Sequence, residues 1–246
     1  MKFIVPLLLV VAWFGATASG AIKPYQFASP QAVLRELADL ASSGALSSDI
    51  AVSVERVFIG FALAAAIALV LGSLVGVSRT WERLLDPTLQ AIRAVPSLAW
   101  VPLILLWLGI GEGPKVTLVA IGAFFPIYVS LVSGIRSVDR KLVEVASIHG
   151  VHGLALAARV LVPATLPQLL VGLRIGLTQA WLFLVAAELL AATHGLGFLL
   201  TDGQQVGRTD EILVAILLFA VCGKLSETAM RAIERRFVGW ADTVSA

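Results

Sequence analysis

The sequence predicts an all-α membrane protein with six transmembrane helices. Three observations carry this reading. Of 246 residues, 59% are hydrophobic and only 14% charged, whereas an ordinary soluble domain is about a quarter charged. The apolar residues fall in blocks with charges between them, as in a multi-span protein and unlike a single large core. No stretch alternates polar and apolar residues as barrel strands do, and lipid cannot satisfy backbone polar groups, so each span must be helical.

A spanning helix needs about 20 mostly apolar residues. Phe3 to Ala18 is the first such stretch and a short one. Val57 to Val77, Ala94 to Gly111 and Val116 to Ile135 follow, each bounded by charges. Leu166 to Ala192 contains Arg174 and Glu188, and Ile212 to about Met230 contains Lys224 and Glu227. Between the first two spans, Pro30 to Asp49 mixes Arg35, Glu36 and Asp39 with Val33, Leu34, Leu37 and Leu40, an amphipathic pattern suited to the outer surface.

Orientation follows from where Lys and Arg collect in the short loops. With the N-terminus inside, the cytoplasmic side holds twelve: Lys2, Arg79, Arg83, Arg93, Arg136, Arg140, Lys141, Arg159, Arg174, Arg231, Arg235 and Arg236. The outside holds five, Lys23, Arg35, Arg56, Lys115 and Arg208, and the excess places both termini in the cytoplasm. A second reading of the first segment stays open. Lys2, an apolar run and Ala16-Thr17-Ala18 also have the pattern of a cleavable signal peptide, whose removal would leave five spans.

Small residues four apart, Gly72 with Gly76 and Gly172 with Gly176, suit close approach of helix backbones within the chain. Pro96 and Pro102 in the third span and Pro126 in the fourth predict kinked or broken helices. Interrupted helices at membrane depth tend to line a cavity, so the expected solute path runs beside Pro96, Ser97, Pro102 and Pro126. Ionisable residues in a span are costly and need a partner. Arg174 and Glu188 lie about 21 Å apart along one helix and cannot pair with each other. Arg174 snorkels or finds another partner. Glu188, just before Thr193-His194-Gly195-Leu196-Gly197, either holds an outer gate on the path or sits at the interface against headgroups or a partner protein.

The segment from Arg136 to Pro167 is long for a membrane-side loop and so is expected to have a task. Asp139 is placed to cap a helix, Gly150 breaks it, and a second basic turn ends at Arg159. Two short helices joined at a glycine suit a groove in another protein.

Here the sequence resembles a known family. Permeases of ABC importers carry a cytoplasmic loop of the form E-A-A, three residues, G, nine residues, then I-x-L-P. Glu144-Val145-Ala146, Gly150 and Val160-Leu161-Val162-Pro163 match at the full spacing, with conservative replacements. The resemblance runs from about Pro30 to Trp240 and looks closest to the branch importing aliphatic sulfonates, taurine and nitrate, within it to the alkanesulfonate permease. It rests on ERLLDPTLQAIRAVPSLAWVPLILLWLGIGE, GAFFPIYVSLVSGIRSVDRKLVE, LRIGLTQAWLFLVAAELL, THGLGFLL and VAILLFAVCGKLSE.

That resemblance implies a type I importer fold with a cytoplasmic coupling helix. It divides the chain into a first helix (1–20), an extracytoplasmic amphipathic segment (21–50), the transmembrane domain (51–236, coupling loop 136–167) and a cytoplasmic tail (237–246). It implies coupling to an ATPase through Glu144, Ala146, Gly150, Arg159 and Pro163. The implied partners are two ATP-binding subunits, a second permease copy, an extracytoplasmic solute-binding protein and the bilayer of a bacterial inner membrane. ATP and magnesium would be bound by the ATPase partner.

Other chemistries find little support. A phosphate-binding loop needs two glycines five apart followed by Lys and Ser or Thr, and Gly109 to Lys115 has Pro114 in the wrong place. No cofactor is expected in this chain. Net charge is +2 without a basic stripe, which sets nucleic acid aside. Cys222 is alone in an apolar run, His149 and His152 lack a third ligand, and no Gly-x-Ser-x-Gly elbow exists for a hydrolase. An intramembrane enzyme would need facing catalytic groups, and a self-sufficient carrier would show repeats and no docking loop.

Overall fold

The computed structural model describes residues 4–20, 22–23 and 25–238, all in helices and their connections, with no strand among the described residues. Lys2 and all of the expected tail from residue 239 onward lie outside them. The chain divides into two units, taken one at a time: Arg56–Leu184 with the residues from Gly223, and the residues up to Glu55 with Val185–Cys222.

The first is organised by α6 (Glu112–Ser137), whose most apolar stretch is 61% buried, against 28% for α3 (Ala45–Val77). Glycines set its distance from both neighbours. A methyl on Gly76 of α3 would stand 2.7 Å from Ile135, and one on Gly72 2.9 Å from Leu131. On α10 (Leu166–Ala191), Gly176 fits over Ile127 and the Ala123 carbonyl, and Gly172 over Ser130. The two small-residue pairs, one on α3 and one on α10, therefore both seat on α6, as backbone-to-side-chain packing in lipid requires. α6 runs unbroken through Pro126, so the break expected there is absent.

The expected third span, Ala94 to Gly111, forms only the second arm of a bent pair, and its first arm lies before that span. α4 (Arg79–Ala94) meets the turn Ser97–Trp100 and α5 (Val101–Leu108) at 90°. Val95 is extended because the Pro96 ring excludes helical geometry from the residue before it. Pro102 causes no kink, since it occupies the first turn of α5, where its missing N–H costs nothing. α4 is tied to α6 by Tyr128, whose hydroxyl donates to Asp86 at 2.9 Å, and by Arg136 with Glu82 at 2.9 Å. At the opposite end of α6, Glu112 accepts a two-pronged contact from Arg56 at 2.6 and 2.7 Å and a bond from Lys115 at 2.9 Å. Arg56 and Lys115, which the sequence reading counts among the outer-side charges, are buried and held by a carboxylate. Arg174 likewise has a partner, Glu234 at 3.7 Å.

In the second unit, α1 (Ile4–Ala18) is anchored by Trp13, whose indole donates to the Ala28 carbonyl at 3.0 Å beside α2 (Pro30–Ser42). Ser29 caps α2 and Pro30 opens it. The amphipathic helix expected to reach Asp49 stops at Ser42, and Ala45 onward already belongs to α3, which is thus 33 residues long. α11 (Leu196–Val206) ends at Gly207 in the left-handed region, and α12 (Thr209–Phe237) follows. Between them Arg208 holds two buried carboxylates, Glu36 of α2 and Glu211 of α12.

Among the described residues four helices are long and apolar enough to cross a membrane, α3, α6, α10 and α12, with a fifth span if the bent pair counts as one. α1 has the right composition with 15 residues.

Because an added methyl at Gly176 meets Ile127 at 2.8 Å and a backbone oxygen at 3.0 Å, Gly176→Ala is expected to cost about 1–3 kcal/mol. Gly15→Ala, with nothing within 4 Å, should be neutral or slightly stabilising. Thermal unfolding of the purified protein in lipid nanodiscs reads both, and equal midpoints would contradict the packing described.

Candidate functional site

The long loop folds as its sequence suggests. α7 (Arg140–Ile148) starts at Asp139, whose carboxylate accepts from the Lys141 amide at 3.0 Å. It ends in a Schellman cap: Gly150 N–H donates to the Ser147 carbonyl and Val151 N–H reaches back to the Ala146 carbonyl, both at 3.0 Å. Gly150 has φ +75°, which an L side chain resists. The spacing from Ala146 to Gly150 is therefore that of the cap, one residue giving the carbonyl and the other the reversal. His149 turns its Nδ1 onto the Val145 carbonyl at 2.8 Å; a carbonyl only accepts, so that nitrogen carries the proton.

Ala146 is buried while Glu144 is exposed. Leu142, Val145 and Ile148, spaced by three, are 49%, 54% and 82% exposed and form one outward apolar stripe. Beyond Gly150, α8 (Gly153–Leu156) leads into a π-helical turn (Ala157–Leu161) and then α9 (Val162–Ala164). The wider turn relieves the clash a proline ring makes with the carbonyl four residues back, here that of Arg159 before Pro163. Arg159 and Pro163 are both exposed. All five residues expected at this site thus share one loop: Glu144, Arg159 and Pro163 face outward, and Ala146 and Gly150 form its cap.

Of the residues expected along a solute path, Ser97 and Pro126 come together. They line a cavity of about 390 Å³ with Arg93 from the end of α4, Phe125 and Ser130 from α6, and Gln179 and Phe183 from α10. Pro96 and Pro102 are exposed and do not line it. Sequence reasoning passed over Arg93 because it stands before the third apolar stretch; the 90° bend brings that helix end to the cavity.

Glu188 is 1% exposed, so it does not reach headgroups, and it does not line this cavity. Its carboxylate accepts from Ser53 Oγ at 2.8 Å and from the Gly197 amide at 2.8 Å. Ser53 Oγ in turn accepts from the Leu196 amide at 2.9 Å, and Asp49 from the Gly195 amide at 2.8 Å. Gly195 has no side chain to cap α11, so three side chains from α3 and α10 satisfy its first free amides, and two carboxylates face its positive end. The only sequence signals were Asp49 and Ser53 one helical turn apart and the glycines around Leu196. Lys224, Glu227 and Arg231 pair along α12.

Comparison with known proteins places this geometry. Residues 68–239 match the family model described as binding-protein-dependent transport system inner membrane component. The provisionally designated aliphatic sulfonates transport permease protein SsuC of Bacillus subtilis is 37% identical over 98% of this chain and 87% of its own. The taurine transport system permease protein TauC of Escherichia coli is 36% identical over 95% and 86%. The fold is similar to a chain of the MetNI methionine ABC transporter in an inward facing conformation, with TM-score 0.66 and 20% identity over 75% of this chain and 92% of that one.

Truncating the acceptor of a buried network leaves its donors unpaired. Glu188→Ala is expected to destabilise the protein by about 1.5–3 kcal/mol, with Ser53→Ala showing a smaller loss in the same direction. Midpoints in nanodiscs, with the double variant to test non-additivity, check this; an unshifted Glu188→Ala would show that the network is dispensable.

Proposed function

The chain belongs to the family of binding-protein-dependent transport system inner membrane components, and we propose that it is the subunit through which an ATP-driven importer moves a short aliphatic sulfonate. Membership makes it a multi-pass inner membrane permease and not an enzyme. ATP and magnesium then belong to two ATP-binding subunits, solute reaches the channel from an extracytoplasmic binding protein, and a second permease copy completes the path. Both termini face the cytoplasm, as the distribution of Lys and Arg supports.

The observation that carries this reading is the capped helix α7. A short rigid helix showing Leu142, Val145 and Ile148 to the outside has the form of a ligand for a groove in another protein. Lys141 to Pro163 is the segment that docks on the ATPase, with Glu144 and Arg159 supplying polar contacts at its rim. The sulfonate class follows from the two relatives: taurine is itself a short aliphatic sulfonate, and identities of 37% and 36% favour neither over the other. Ser97 and Pro126 border the path, together with Pro96 and Pro102 at the bend.

An L side chain at Gly150 must adopt a left-handed conformation costing about 1–2 kcal/mol, so Gly150→Leu should reduce solute-stimulated ATP hydrolysis by about tenfold while the chain still reaches the membrane. Ile148→Asp and Glu144→Lys should act in the same direction; retained transport in all three would overturn the docking assignment. Reconstitution with the ATPase and each candidate binding protein is expected to give uptake of labelled ethanesulfonate and taurine. Uptake of nitrate alone would overturn the substrate class and leave the importer reading standing.

A further inference from the structure

The cavity at the bend holds a cation that the expected solute path does not include. Its lining holds one cation, Arg93, and no carboxylate. Ser97, Ser130 and Gln179 add two hydroxyls and an amide, and among the described residues no hydrogen bond or ion pair engages any of these four side chains. Several other cations are spent on carboxylates: Arg56 and Lys115 on Glu112, Arg136 on Glu82, Arg174 on Glu234, Arg208 on Glu36. Facing the polar groups are Phe125, Val129, Ile175 and Phe183. At about 390 Å³ the space falls in the range of small-molecule sites, roughly 300–1,000 Å³.

We propose that this cavity is an anion subsite in the permease itself, taking the charged head of a short alkyl anion on Arg93, Ser97, Ser130 and Gln179 and its alkyl end against Phe125 and Phe183. The guanidinium presents several donors in a fixed fork, which fits the oxygens of a sulfonate. The hydroxyls and the amide complete the shell without adding charge. One unpaired cation gives attraction weak enough for release, as a transit site requires. The four groups come from α4, the turn after Pro96, α6 and α10, so a rearrangement at the bend that separates Arg93 from α6 would dismantle the subsite and discharge its occupant.

This assignment rests on the importer reading, and the experiment separates the two. The permease–ATPase complex in nanodiscs, without binding protein, is dialysed to equilibrium against labelled ethanesulfonate, with neutral ethanesulfonamide as competitor. Saturable binding is expected. Arg93→Gln should weaken it at least about tenfold, the loss of one charge-assisted contact, and Arg93→Lys should lie between that variant and the unsubstituted protein. Ethanesulfonamide should compete poorly. Binding unchanged in Arg93→Gln overturns the proposal. If that variant is not recovered from the membrane, displacement by ethanesulfonamide as effective as by unlabelled ethanesulfonate overturns it instead. An unsubstituted complex that imports sulfonate when reconstituted in liposomes with binding protein but shows no saturable binding in nanodiscs sinks the subsite alone. One that shows neither uptake nor solute-stimulated ATP hydrolysis when binding protein is added sinks the importer reading.

Discussion

The closeness of α3 and α10 to α6 is the constraint on which the larger unit depends. In lipid there is no gain from hiding apolar side chains from water, so helices hold together by contact alone, and contact requires small residues where backbones meet. Gly72 and Gly76 supply it on one neighbour, Gly172 and Gly176 on the other, and Gly122 of α6 itself receives the Phe183 ring. Ser130, Pro126 and Phe125 form a wall along the edge of the α10 contact, and Gln179 and Phe183 reach it because α10 lies so near.

Charge is handled by a second rule. A charged group at membrane depth is expensive, and this chain meets the expense with partners from its own helices. Glu112 gathers two buried cations at the start of α6. Glu188 and Asp49, with Ser53 between them, cap a helix that begins on glycine. That cap is unusual in being tertiary: the amides of α11 are satisfied only after α3 and α10 have come together, so the α11 start and the packing of those two helices form as one event.

Both regions assigned a task are built at breaks in regular structure. Pro96 turns the chain through a right angle and delivers Arg93 to the cavity, and Gly150 reverses it to expose a short helix. The same chemistry that ends a helix, a missing N–H or a left-handed φ, frees the neighbouring side chains from helix-to-helix packing.

The sequence by itself determined a good deal: the helical class, the apolar spans of α3, α6, α10 and α12, the capped helix after Asp139, the reversal at Gly150 and the break at Pro96. These are local. Each follows from a run of apolar residues or from one residue whose backbone has a single option. Tertiary structure decided the rest. It ended the amphipathic helix at Ser42, buried Arg56 and Lys115 against the exposed carboxylate of Glu112, made Glu188 part of a tertiary helix cap, and set Arg93 beside Ser130 and Gln179. Glu188 and Ser53 are separated by 135 positions, and Arg56 and Glu112 by 56. No propensity or periodicity couples residues so far apart, because hydropathy records how readily a side chain leaves water and carries nothing about which helix face it will meet.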